Sequence, residues 1–237
     1  MFINIKELNK IEMTARKDCK ILSMISTFEN CINLDEFKIS GFDMFDLKSM
    51  KKLFYKTNIN QNISFSSFNS TSLEDISYMF AYTPIKEFKL KGINTDNVKD
   101  MSHLFEGCSS LSSVNLTGFN SKNVKDMSYM FNSCKNIKQL DLNDLDTREV
   151  INMANMFQSC TSLANLYINE IKTNKVEDMS YMFDNCASLI NLDITNLSTD
   201  SLKDMSYMFQ GCKFKSLNVN NFNTEKVEHT TGTFKEL

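Results

Sequence analysis

A phenylalanine recurs at Phe28, Phe54, Phe80, Phe105, Phe131, Phe157, Phe183, Phe209 and Phe234, at steps of 25 or 26 residues. A fixed period across nearly the whole chain constrains the fold more than any local signal, because each unit buries its apolar face on the next copy of itself. After Phe183 come Cys186, Leu189, Leu192, Ile194, Leu197, Thr199, Leu202, Met205 and Met208, and then Phe209. The preceding unit runs Phe157, Cys160, Leu163, Leu166, Ile168, Ile171, Thr173, Val176, Met179 and Met182, in the same register without a gap. The expected architecture is a solenoid whose core grows lengthwise.

Within each unit two periodicities alternate. Leu189, Leu192 and Ile194 end in period-two spacing, which predicts a short strand with one buried face. Leu202, Met205, Met208, Phe209 and Cys212 then fall mainly at steps of three and four, which predicts a short helix. An acid stands directly before the first apolar helical position at Asp75, Asp100, Asp126, Asp178 and Asp204, with Asn152 in one copy. Carboxylate and amide oxygens both accept bonds from a helix's first free amides, so the column is expected to cap helices rather than to hold calcium. Strand plus crossover helix, repeated, gives stacked parallel strands about 4.8 Å apart.

The core positions tolerate exchange, as packing permits: Phe37, Ile63, Val114, Leu140, Leu166 and Leu192 share the slot nine residues after the repeat Phe. Most of the fifteen methionines fall in two columns flanking that Phe, also as core. Six of the seven cysteines (Cys31, Cys108, Cys134, Cys160, Cys186, Cys212) follow a repeat Phe by three residues, where Thr57 and Thr83 also occur. A slot that accepts Thr asks for a small semi-polar group, so a reduced packing ladder is expected. Metal ligands must converge, and a ladder spreads them along a line, so no metal or cofactor is expected.

The units from Phe80 and Phe209 are one residue short between the Cys/Thr slot and the strand. At the N-terminus, residues 2–5 read as a strand and 9–27 as including a longer, polar-faced first helix that caps the stack. The expected organisation is a capping segment at 1–20, the array at 21–228, and a degenerate end at 229–237 where Thr replaces Met. Hydrophobic content of 42% covers a continuous stripe, and a net charge of −3 argues against nucleic-acid binding. No apolar run approaches the roughly 20 residues needed to cross a bilayer, and residues 1–17 lack the apolar core of a secretory signal.

The block Lys125-Asp126-Met127-Ser128-Tyr129-Met130-Phe131, followed by Cys134, Ile137, Leu140 and Leu142, closely resembles the bacterial surface-protein 26-residue repeat. That family is allied to the BspA-like leucine-rich repeats and abundant in mycoplasma-type lipoproteins, and the resemblance runs over residues 18–234. It implies an α/β solenoid, a leucine-rich-repeat-like right-handed coil of short parallel strands and short helices in eight to nine repeats. It implies no catalytic residues and a role in adhesion or other surface interactions. It also implies a cell-surface or secreted location, although this chain shows no signal peptide and Cys19 follows polar residues rather than a lipid-attachment signal.

Function is expected on the strand face, where alternation displays short polar side chains. Its one aromatic is Tyr167, between Asp141 and Asp193 on adjacent rungs, with Asn115, Asn165, Asn169 and Lys89 as further binding candidates. A lone Tyr among hydrogen-bonding groups suits an interface anchor, and the ligand class is protein or glycan. Catalysis finds no support: His103 and His229 have no nucleophile in register, and no Gly-rich phosphate loop occurs. Asp141, Asp144 and Asp146 are close in sequence but alternate between strand and loop. A monomer or weak self-association is expected. The alternative function is an intracellular protein–protein scaffold or a structural spacer.

Overall fold

The computed structural model describes residues 2–15, 19–60, 62–64, 70–89 and 93–237, the segment 62–64 by its backbone only. Ile63, assigned above to the core, therefore lies outside the described side chains. Short parallel strands run at one repeat spacing: β1 (Lys10–Thr14), β2 (Glu36–Ser40), β3 (Asn62–Ser64), β4 (Glu87–Lys89), β5 (Ser113–Asn115), β6 (Gln139–Asp141) and β7 (Asn165–Tyr167). They pair as β1-β2-β3, β4-β5 and β6-β7. Among the described residues every strand pair joins residues 26 apart, such as Lys10 with Glu36 and Gln139 with Asn165. Glu87 pairs with Ser113 in that same register although Phe80 and Phe105 are 25 apart. The one-residue deletion is thus absorbed before the strand, where the expected loop lies.

The segments expected to be helices are not helical. Each holds tandem turns, in which amides bond alternately within the coil and to the next coil. Leu104, Glu106 and Cys108 donate back three residues to Met101, His103 and Phe105 (3.3, 3.1 and 3.0 Å). Met101, His103, Phe105 and Gly107 donate forward to the carbonyls of Asp126, Ser128, Met130 and Asn132 (2.8–3.0 Å). The pattern requires left-handed backbone at two sites four residues apart: His103 and Gly107 (φ 58° and 68°), Tyr129 and Ser133, Tyr181 and Asn185, Tyr207 and Gly211. Such conformations strain a non-glycine residue by about 1–3 kcal/mol. The cross-coil hydrogen bonds and buried rings hold them in place.

The acid column sits at the start of these turns and caps them as an Asx turn, not as a helix N-cap. Oδ1 of Asp100, Asp126, Asp178 and Asp204 accepts the amide two residues on, at 2.7–2.9 Å, and Asn152 does the same for Ala154. Stacking these carboxylates has an electrostatic consequence. Burial, and secondarily the charges of Asp75 and Asp126, hold the Asp100 carboxyl above the usual range. Its contribution to stability is therefore complete in acid and is lost as pH rises through that raised value.

The N-terminal expectation also changes. Residues 2–5 are not a strand, and the first strand is Lys10–Thr14, inside the segment expected to include the capping helix. Phe2 stands 26 residues before Phe28, stacks on it at 5.6 Å, and donates its amide to Thr27. The long period overrides the local alternation of Phe2-Ile3-Asn4-Ile5.

The column of rings forms the core. From Phe2 to Phe234 successive centroids lie 5.6–6.1 Å apart with planes within 23°. Phe28 through Phe209 are at most 1% exposed. Met101, Met127, Met153, Met179 and Met205 pack beside them, buried. The cysteine slot has a defined task. The thiols of Cys108, Cys134, Cys160, Cys186 and Cys212 donate to the carbonyl of the Phe one coil earlier, at 3.0–3.2 Å. Thr57 and Thr83 donate to the Phe of their own coil at 2.9 and 2.7 Å. The slot selects a small donor, which explains the Cys/Thr exchange. Six of the seven free cysteines are buried, and burial pushes the Cys108 thiol up to about 11 and those of Cys160 and Cys212 up to about 12.

Phe131→Ala should lower unfolding free energy by about 3–5 kcal/mol, read from urea melts; an unchanged midpoint would remove the ring column from the core. At pH 8 a small maleimide should label Cys19 alone in native protein, and all seven cysteines in denaturant. Rapid native labelling of a second thiol would contradict the buried ladder.

Candidate functional site

Strand alternation decides what the sheet face displays. Phe88, Leu140 and Leu166 turn inward, while Glu87, Lys89, Ser113, Asn115, Gln139, Asp141, Asn165 and Tyr167 are exposed. Across strands, Lys89 lies opposite Asn115, and Asp141 opposite Tyr167. Asn191 bridges to Ser216 beyond β7.

In four rungs the third strand position has a structural role that sequence reading missed. Asn115, Asp141, Asp193 and Asn218 each accept, through Oδ1, the amide two residues ahead at 2.9–3.1 Å. This Asx turn folds the chain away at the strand exit. Asp193 also accepts the Thr195 hydroxyl at 2.7 Å, and the Thr195 bonds hold its carboxyl below the usual carboxylate range. The recurring Asp and Asn of this column are accounted for by the turn. Tyr167 occupies the same column, as do Lys38 and Lys89 nearer the N-terminus, and none of the three has a side-chain oxygen able to close the turn.

Around Tyr167 lies a shallow concavity of about 360 Å³. Asn165, Tyr167, Asn169, Asn191, Asp193 and Ser216 line it over Leu166 and Leu192. Four of the expected binding residues, Tyr167, Asp193, Asn165 and Asn169, therefore converge. Asp141 adjoins Tyr167 in register but is not in the lining. Asn115 and Lys89 lie together on the β4–β5 sheet, apart from the concavity. Asn191 and Ser216 belong to the lining without having been singled out, although each occupies the column of Asn165 one and two rungs on.

A second cluster on the turn side escaped the sequence reading. His103 stacks between Tyr78 and Tyr129 at 4.0 and 4.4 Å, and its Nδ1 lies 2.7 Å from a carboxylate oxygen of Glu106. Glu106 also accepts the Tyr82 hydroxyl at 2.6 Å. Burial would raise the Glu106 carboxyl, but the bonds from His103 and Tyr82 outweigh it and leave it lowered. Lys52 and Lys56 lie 5.1–5.5 Å from the Tyr55, Tyr78 and Tyr82 ring centroids. Asp146, read above beside Asp141 and Asp144, is held by Arg148 at 2.6 and 2.9 Å. Among the described residues no helix is long and apolar enough to cross a membrane.

A family model described as "Mycoplasma protein of unknown function, DUF285" matches residues 1–89, 83–189 and 162–237. No curated protein matches the chain. Among solved structures, an internalin of Listeria monocytogenes str. 4b F2365 is similar at 16% identity and a TM-score of 0.34, over 95% of this chain and 67% of that one. The TLR13–ssRNA13 complex is similar at 17% identity and a TM-score of 0.27, over the whole of this chain and 42% of that one. Likeness at that level carries no argument about ligand.

If the turn explains the Asp and Asn at the strand exit, Asp141→Asn should leave stability unchanged. Asp141→Ala should then lower it by about 0.5–1 kcal/mol in urea unfolding. Equal effects of the two substitutions would deny Asp141 that role.

Proposed function

The chain belongs to the family of Mycoplasma proteins of unknown function DUF285, and from that premise we propose that it is a non-enzymatic macromolecule-binding repeat module. It engages its partner through the polar strand face, in adhesion or another surface interaction, with Tyr167 as anchor. The observation that carries this reading is the break in the third-position column. Where neighbouring rungs place Asn or Asp to close a turn, this rung places a half-exposed tyrosine beside a concavity. The resemblance to bacterial 26-residue surface repeats points the same way. His103, stacked on both faces and paired to Glu106, is built into the surface rather than poised as a base. Asp193, Asn165 and Asn169 flank the anchor, and Asp141, Asn115 and Lys89 extend the face towards the N-terminal coils. The ring stack supports a second reading, a stiff scaffold or spacer, because it runs unbroken from Phe2 to Phe234.

The test is a screen of the purified chain against extracellular-matrix proteins and an array of glycans, beside Tyr167→Ala. A specific partner should lose about 1–3 kcal/mol of affinity on that substitution, as anchor residues do. A partner bound equally by wild type and Tyr167→Ala would move the site off this face, and a blank from folded protein would leave the spacer reading.

A further inference from the structure

Many of the described asparagines bond the fold through their side chains, while others, such as Asn136, Asn174 and Asn220, do not. Asn97, Asn123 and Asn196 donate to backbone carbonyls one coil earlier at 2.6–3.1 Å, and Asn221 donates to two. Asn120 and Asn223 bond aspartates of the preceding coil. Asn143 accepts the amide of Glu170. Among the described residues, the side-chain amides of Asn165, Asn169 and Asn191 have no protein partner, nor do the hydroxyls of Tyr167 and Ser216. These five groups line one concavity.

Their spacing is set by the sheet. Neighbouring rungs lie about 4.8 Å apart, and displayed residues along a strand about 6.6–7 Å apart. The amides and hydroxyls therefore lie beside the Tyr167 ring over a span of about 10–14 Å, the reach of a short oligosaccharide rather than of one sugar. A volume near 360 Å³ is at the small end of ligand pockets, which run about 300–1,000 Å³. The lining holds no Lys, Arg or His, and its one charge is Asp193, whose Oδ1 is occupied by Thr195. An anionic ligand would meet Asp193 and, one rung away, Asp141. Peptide recognition by strand addition uses a sheet edge, whereas this concavity opens on the face displayed by Asn165 and Tyr167.

We propose that the Tyr167 concavity is a binding site for a neutral carbohydrate, the tyrosine ring stacking against the sugar's C–H face while Asn165, Asn169, Asn191 and Ser216 bond its hydroxyls. The proposal rests on the strand-face reading above and specifies its ligand. Carboxamides both donate and accept, as sugar hydroxyls do, so such a lining matches vicinal hydroxyls without a net charge.

The test uses the full chain and multivalently displayed neutral oligosaccharides of hexose and N-acetylhexosamine, with sulfated and sialylated glycans and lysine-rich peptides as comparison probes. Neutral glycans should bind, with Kd rising about tenfold or more in Tyr167→Ala but within about threefold of wild type in Tyr167→Phe, which keeps the ring. Asp193→Asn is a safe charge removal, because Asn115 and Asn218 close the same turn. It should change Kd by less than about threefold, and binding should hold from roughly 0.05 to 0.5 M salt. Binding of no neutral glycan would overturn the proposal, as would retention by Tyr167→Ala. Strong loss in Asp193→Asn or in salt would also overturn it and identify a cationic ligand. A protein partner dependent on Tyr167, with no neutral glycan bound, would sink the carbohydrate inference while leaving the strand-face reading intact.

Discussion

The structure depends on the forward hydrogen bond that the repeat Phe makes to the next coil, as in Phe131 N–H to the Met156 carbonyl at 2.9 Å. That bond fixes the rise per coil, and the rise sets the ring spacing near 6 Å, within range for stacked aromatics. Once the Phe backbone is pinned forward, the residues two before and two after it are pinned the same way. Tyr129 and Ser133 bond to Ala154 and Gln158. The coil cannot change length in this stretch without breaking the ladder. Length varies only between the Cys/Thr slot and the strand, where the Phe80 unit dropped a residue before Glu87.

The same bond explains why the turns replaced the expected helices. A helix satisfies every interior amide within itself and offers none to a neighbour. Here every second amide must reach the adjacent coil, so the backbone alternates inward and forward bonds and passes through left-handed conformation twice. Spacings of three and four in Met101, Leu104, Phe105 and Cys108 are common to a helix face and to tandem four-residue turns, so the apolar pattern could not separate them. The discriminating signal was polar. The second left-handed site holds Asn4, Asn30, Gly107, Asn185 and Gly211, types that tolerate positive φ, but also Lys56, Tyr82, Ser133, Ser159 and Glu236. The first site holds Tyr78, Tyr129, Tyr181 and Tyr207, which do not favour it, beside Ser26, Lys52, His103, Asn155 and Gly232, and that mixed column concealed the pattern. Stacking of those rings on one another accompanies the strain they carry.

What was legible follows from the period alone. The ring column, the methionines beside it and the reduced cysteine slot all occupy one position per unit, and position in the unit decides burial. Phe2 was legible by the same rule and was misread because four alternating residues outweighed a 26-residue step. The displayed strand face was legible too. The role of its Asp and Asn was not, since a turn-closing oxygen and a ligand-binding oxygen look alike until the amide two residues on is placed. Asn191 and Ser216 join the site only because adjacent rungs bring the column of Asn165 together, a neighbourhood that no single rung shows.

A repeating fold makes most of its surface repeat as well, so a site must come from departures. Each departure here has a local reading. Asn152 for Asp preserves a turn, Thr for Cys preserves a donor, and Gly107 makes room for the Tyr82 ring, which a Cβ would meet at 2.4 Å. Tyr167, between two rungs whose Asp141 and Asp193 close the turn, closes none. Next to it the asparagines stop bonding the fold, and their amides are left to solvent within one shallow concavity. A side chain that closes no turn where its neighbours do, beside amides that bond nothing in the fold, is the departure on which the proposed binding site rests.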